Sequence, residues 1–174
     1  PATYFEKIQK VLKDNDILLI ADEVICGFGR TGNMFGCETY DIKPDTVSLA
    51  KQLSSAYLPI AAVLLPEFMF DVLVEQSKKI GVFGHGMTYG GHPVPAAVAL
   101  RTLEIYEERN ILGHVQQVSK QFAKRVDQLA DHPLVGNTRS VGLLGAVEMM
   151  ADKETRRPFD AAHGLGARVL AEAE

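Results

Sequence analysis

Cysteine is scarce in this sequence. Cys26 and Cys37 lie eleven positions apart, with no second pair and no suitably spaced histidine, which leaves no frame for a zinc site or a disulfide-stapled fold. No apolar run approaches the roughly 20 residues that a membrane-spanning helix needs, and no charged start followed by an apolar segment reads as a signal peptide. Basic stripes are missing too, and the net charge of −4 gives nucleic-acid binding little support. No internal repeat or low-complexity tract occurs. What is present is ordinary globular composition over 174 residues, enough for one domain or one and part of another. The expectation is a soluble, cytoplasmic protein with no metal, membrane or nucleic-acid partner. Residue 1 is Pro rather than Met, and the stretch from Gly164 to Glu174 reads as a helix without a terminal cap, so the chain is expected to be a fragment cut at both ends.

The stretch from Asp22 to Lys51 organises the rest. Ile17-Leu18-Leu19-Ile20-Ala21 is too short and too uniformly apolar for an amphipathic helix, and predicts a strand buried on both faces. Asp22-Glu23 closes it. Asp45 to Ala50 predicts a second strand, followed at once by Lys51. If the two are parallel members of one sheet, Asp22 and Lys51 leave from carboxyl ends, where open sheets bind ligands. A buried acid and a buried amine are each costly unless engaged, so the pair marks a candidate site.

Around this core the order is α/β. Tyr4, Phe5, Ile8, Val11 and Leu12 recur at helical spacing before a turn at Asp14-Asn15-Asp16. After Lys51, Ser54-Ser55-Ala56 is a small-residue loop, Pro59 to Leu65 predicts another buried strand, and Phe68 to Val74 a short helix. Gly81 to His92 is irregular and glycine-rich, with Thr88 just ahead of a helix that Pro93 and Pro95 introduce, a favourable place for an anion. Helices are predicted over Val94–Arg109 and Ile111–Asp131, broken at Asn110, which is the expected domain boundary. Val141 to Glu148 has strand character with glycine punctuation, ahead of a charged loop from Asp152 to Arg157.

Gly27-Phe28-Gly29-Arg30-Thr31-Gly32 matches the dinucleotide pattern GxGxxG, but the pattern's mechanism is missing. The third glycine should open a helix and an acidic residue should follow about twenty positions later. Here Asn33-Met34-Phe35-Gly36 starts a helix poorly, and Lys51-Gln52-Leu53 stands where the acid belongs. Glu23 has two open readings, a cap or a bond within the site. Arg30 reads as an anion contact or a partner of Glu23 or Glu38. His92-Pro93 reads as a helix entry, with a catalytic role for His85 or His92 left open. His114, His132 and His163 are expected at the surface, and the Glu104, Glu107, Glu108 cluster as a solvated helix face.

Three blocks, Leu18 to Gly32, Pro44 to Lys51, and Gly86 to Pro93, together resemble the class III pyridoxal-phosphate aminotransferases, the omega-aminotransferases of the aspartate-aminotransferase fold. They occur in that family's order and spacing, and the likeness runs over the whole chain. Ser54-Ser55-Ala56-Tyr57-Leu58-Pro59 is most similar to the amine:pyruvate branch. The resemblance implies an α/β, fold-type-I transferase. Residues 1–109 would be the second half of the large, mixed or parallel-sheet domain that binds the cofactor, and 110–174 the start of the small α+β domain.

By the same resemblance the cofactor is pyridoxal 5′-phosphate. Lys51 would be its Schiff-base lysine and, once freed by the donor amine, the general base. Asp22 would partner the pyridine nitrogen, and Val24 would contact the ring. Thr88 would bind the phosphate of the cofactor held by the other subunit of a homodimer. The implied reaction moves an amino group from an amine or omega-amino acid to a keto acid, with pyruvate as the expected acceptor. An aminomutase, racemase or decarboxylase of the family would carry the same blocks, and a non-catalytic dimerising module is the alternative outside enzymology. Relative to the family the chain lacks the preceding phosphate turn and ring-stacking aromatic, and the following carboxylate-binding arginine, so alone it is expected to be inactive. Arg139 and Arg156-Arg157 match no family motif.

Overall fold

The computed structural model of the chain describes residues 3–173. These form two compact units, the first ending at Val115 and the second beginning at Gln116. The first holds α1 (Tyr4–Asp14), β1 (Ile20–Asp22), α2 (Gly36–Thr39), β2 (Thr46–Leu49), β3 (Ala62–Leu64), α3 (Glu67–Ile80), α4 (Pro93–Glu108) and the start of α5 (Ile111–Gln128). The second holds the rest of α5, then β4 (Val135–Val141), β5 (Leu144–Asp152), β6 (Arg157–Pro158) and α6 (Leu165–Ala173). The helical spacing read from the sequence reappears in α1, α4 and α5. Asn110, at φ 46, interrupts the helix between α4 and α5, while the division between the compact units falls one turn later, inside α5.

In the first unit β2 is the middle strand of a three-stranded sheet, parallel to β1 and antiparallel to β3. Asp45 sets the start of the parallel pairing. Its carboxylate accepts the Leu19 amide at 2.7 Å, while the amides of Asp45 and Thr46 donate to the Leu19 carbonyl at 2.8 and 3.2 Å. From there the register runs Ile20 to Thr46, Ala21 to Val47 and Asp22 to Ser48.

Two expectations about burial are corrected. The Ile17–Ala21 run yields a strand only from Ile20 to Asp22, and Ile20 is 65% exposed, with Ile17 and Leu18 also more than half exposed. The Pro59–Leu65 run yields only Ala62–Leu64, with Val63 61% exposed. The reason is position: β1 and β3 are the edges of the sheet this chain forms, and only β2, flanked on both sides, buries Thr46 and Leu49. The helix predicted at Phe68–Val74 runs further, to Ile80, where Gly81 at φ 76 supplies the left-handed cap. The core lies under the carboxyl end of β2, where Phe28, Leu49, Leu53, Ala99 and Tyr106 pack together.

The second unit is built on a hairpin that the sequence showed as one interrupted strand. Gly142, at φ 56, and Leu143 form the two-residue turn between β4 and β5, which pair from Val141–Leu144 outward. Gly145 lies against α5: a Cβ there would sit 2.8 Å from the Phe122 ring and 3.2 Å from Val126. Past β5, the Asp152 carboxylate accepts the amides of Glu154 and Thr155 at 2.9 and 3.3 Å and turns the chain into β6. Bonding from Thr155 holds this carboxyl below its usual range.

Gly145→Ala is expected to cost about 1–3 kcal/mol, because an aromatic ring must move to admit one methyl group. Urea unfolding followed by circular dichroism checks it, and an unchanged midpoint would contradict the packing described.

Candidate active site

Asp22 ends β1, and Lys51 follows the end of β2 by two residues. Because β1 and β2 are parallel neighbours, both leave from the same end of the sheet. Both side chains are exposed, which corrects the expectation of a buried acid and a buried amine. They stand outside the carboxyl ends, where no described element covers them.

The turn that carries Lys51 is strained and well supported. Lys51 has φ 44, and Ser55 and Ala56 have φ 50 and 61, a left-handed conformation costing of order 1–3 kcal/mol at a non-glycine residue. It is held in place from below. Leu53 is part of the core, and Ser54, only 2% exposed, donates its hydroxyl to the Leu58 carbonyl at 2.6 Å. The amides of Ser54 and Ala56 both return to the Lys51 carbonyl at 3.3 Å.

The segment after Asp22 is anchored differently. Asp22 Oδ1 accepts the Val24 amide at 3.1 Å, and the Glu23 amide extends the ladder to the Ser48 carbonyl at 3.0 Å. The Glu23 side chain is 3% exposed. Its carboxylate accepts the amides of Gly36 at 2.9 Å and Cys37 at 2.6 Å, closing the intervening loop. Within that loop Phe28 has φ 62, and Gly29 and Gly32 have φ 99 and 95. The Tyr106 hydroxyl of α4 donates to the Phe28 carbonyl at 2.9 Å. Gly32 opens no helix, so the amides a dinucleotide would need are not presented. Of the two readings of Glu23, the structure gives the cap: a buried carboxylate spent on backbone amides. Glu38 likewise accepts the Phe35 amide at 2.9 Å.

Burial pushes both thiols up, with the Glu23 carboxylate adding to the effect at Cys26 through charge and at Cys37 through a hydrogen bond. Both are free. Thr88 lies in the exposed turn ahead of α4, and His92 is the N-cap of α4, its Nδ1 accepting the Val94 amide at 3.2 Å. His85 is exposed and stacks on Phe83 with ring centroids 5.5 Å apart. Arg101 bridges Glu104 and Glu108 at 2.9 and 2.6 Å on the exposed face of α4. Arg139 pairs with Glu148 across the β4–β5 hairpin at 2.6 Å. No cluster of metal-binding side chains occurs among the described residues, nor does any helix there have the length and apolarity to cross a membrane.

The family described as "Aminotransferase class-III" matches residues 1–172. The chain belongs to the class III aminotransferases. It is 55% identical over 167 residues to a gamma aminobutyrate transaminase 3, chloroplastic, of Solanum lycopersicum, covering 96% of this chain and 32% of that protein. It is 53% identical over 174 residues to a probable gamma-aminobutyrate transaminase 3, mitochondrial, of Oryza sativa subsp. indica, covering 100% of this chain and 34% of the relative. The chain thus spans about a third of the length of these class III relatives. Among solved structures it superposes on a transaminase with L-ala at a TM-score of 0.92 and 53% identity, over 96% of this chain and 39% of that one. The omega transaminase of Pseudomonas jessenii in complex with PMP gives a TM-score of 0.89 at 50% identity, over 92% and 35%. The fold is therefore the α/β, fold-type-I fold of class III aminotransferases.

Sequence reasoning brought Asp22 and Lys51 to one sheet end but missed the groups that hold them there. The signal was an acid in an otherwise apolar and glycine-rich stretch, since a carboxylate that folds inward must find donors. Two measurements follow. Tyr106→Phe leaves the buried Phe28 carbonyl without its donor and is expected to cost about 1–3 kcal/mol, read as a drop in unfolding midpoint. Cys26 and Cys37 are expected to alkylate more slowly than glutathione at neutral pH and to speed up as pH rises, since less thiolate is present below a raised pKa. Mass spectrometry of iodoacetamide-treated protein reads both rates, and glutathione-like rates would contradict the burial.

Proposed function

We propose that the protein containing this chain is a pyridoxal-phosphate-dependent transaminase moving an amino group from an amine or omega-amino acid to a keto acid, with pyruvate as acceptor. The observation that carries this is the placement of an exposed carboxylate and an exposed amine at the adjacent carboxyl ends of two parallel strands, in a class III chain. The names of the relatives and of the solved neighbours, gamma-aminobutyrate and omega transaminases, support the donor class. We assign residues 1–109 to the cofactor-binding large domain and 110–174 to the start of the small one.

The residues present fit the cofactor. Asp22 has one oxygen held by the Val24 amide, which orients the carboxylate and leaves the second oxygen for a ring nitrogen. A carboxylate there favours the protonated ring by about 1–3 pKa units. When bound, pyridoxal 5′-phosphate supplies an electron sink for the pair left behind when a proton leaves the amine carbon. Lys51 Nζ is the amine that would hold the cofactor's aldehyde carbon and would take and redeliver that proton as general base. Val24, next to Asp22 and half-buried, gives the ring an apolar contact. The Thr88 hydroxyl serves the phosphate of the cofactor in the second subunit of a homodimer.

In the full-length protein loaded with pyridoxal phosphate, borohydride reduction should fix the cofactor to the peptide bearing Lys51. Lys51→Ala should abolish that label and lower turnover of amine and pyruvate by at least about 10²–10⁴-fold. A Lys51→Ala enzyme with unchanged turnover refutes the mechanism.

A further inference from the structure

Glu23 stands directly between the two residues assigned to the cofactor ring, yet faces away from them. Successive side chains at a strand end project to opposite faces, and here Asp22 is exposed while Glu23 is buried. Its amide is the last rung of the β1–β2 ladder, donating to the Ser48 carbonyl at 3.0 Å. Its carboxylate accepts two backbone amides, Gly36 at 2.9 Å and Cys37 at 2.6 Å, bonds of the strong, charge-assisted kind. One residue is thus tied to the sheet by its backbone and to the far end of the loop by its side chain. Rotation of the Asp22–Val24 segment would break one tie or the other.

The surroundings admit little slack. A Cβ at Gly27 would lie 2.7 Å from the Glu23 carbonyl, and one at Gly36 would lie 2.8 Å from the Cys26 Cβ and 3.2 Å from Glu23 Oε2. The loop therefore packs against Glu23 so closely that neither glycine could carry a side chain without a shift. At its middle the same loop is held to α4 by Tyr106. The Val24 amide, whose direction this anchoring fixes, is the donor to Asp22 Oδ1 at 3.1 Å. Burial and then the Glu23 carboxylate push up the neighbouring Cys26 and Cys37 thiols.

We infer that Glu23 is a positioning residue: by clamping the Gly36 and Cys37 amides it sets the rotation of the strand end, and so aims the Asp22 carboxylate, through the Val24 amide, at the cofactor's ring nitrogen. The inference rests on the cofactor reading above and adds to it a residue that touches neither cofactor nor substrate.

The test uses the full-length holoenzyme and its visible absorbance as a function of pH, with the rate of cofactor release into phosphate-free buffer. Asp22→Asn is the benchmark, and Gly145→Ala, in the second unit, is a control for lost stability alone. Glu23→Ala should shift the absorbance titration in the same direction as Asp22→Asn and by less, and release cofactor at least several-fold faster. Glu23→Gln keeps one oxygen for one of the two amides and should recover part of both effects, while Gly145→Ala should move neither. Should Glu23→Ala not fold, Glu23→Gln alone carries the comparison. If the Glu23 variants lose stability but keep the wild-type titration and release rate while Asp22→Asn changes them, the positioning role is overturned and the cofactor reading stands. If Asp22→Asn moves nothing either, both are overturned.

Discussion

Asp45 reaches from the start of β2 to the amide of Leu19, and this bond, with the two amides returning to the Leu19 carbonyl, fixes where β1 and β2 begin to pair. Everything at the other end of the strands follows from that register. With Ile20 opposite Thr46, Asp22 falls opposite Ser48 and Lys51 three residues beyond. A slip of one residue would reverse every side chain between the faces, turning Asp22 inward and Glu23 outward. The alignment of a carboxylate with an amine is thus decided some three residues away, by an aspartate that takes no part in the chemistry.

The two strands leave the sheet through different kinds of turn, and one core supports both. Leu49 and Leu53 come from the Lys51 side, Phe28 from the Asp22 side, and Ala99 and Tyr106 of α4 pack against them. Tyr106 adds a hydrogen bond to Phe28. Helix α4 therefore acts as a shared floor under the candidate site. Positive φ values at Phe28, Lys51, Ser55 and Ala56 persist because that floor and the Ser54 and Glu23 bonds over-determine the local backbone.

Much of this was legible in the sequence, and the boundary between what was and what was not is physical. Helical spacing survives translation because it is local, so Phe5, Ile8 and Leu12, or Val115, Phe122 and Val126, report their helices directly. The ends of apolar runs likewise located Asp22 and Lys51. Burial was not legible, because it depends on what lies across the sheet: Ile20 and Val63 look like core residues but sit on the edge strands of the sheet that this chain forms. The β4–β5 hairpin was hidden because its turn, Gly142-Leu143, lies inside an apolar stretch without the usual polar signal. Glu23 was left open for the same reason as Ile20: whether an acid turns toward a loop or a ligand is settled by amides that come thirteen and fourteen residues later.

Polar groups around the site divide cleanly by burial. Glu23, Ser54, Thr31 and the Tyr106 hydroxyl are buried, and each has its partner within the chain. Among the described residues no buried side-chain nitrogen or oxygen lacks one. A group in that position is committed to the scaffold, since breaking its bond in a water-poor interior forfeits the full desolvation cost. Asp22, Lys51 and Thr88 are on the other side of the divide, exposed and able to exchange water for a ligand. The exposed acid and amine are therefore the groups at this sheet end that are open to a ligand, whereas the buried Glu23 carboxylate is committed to the backbone amides of Gly36 and Cys37.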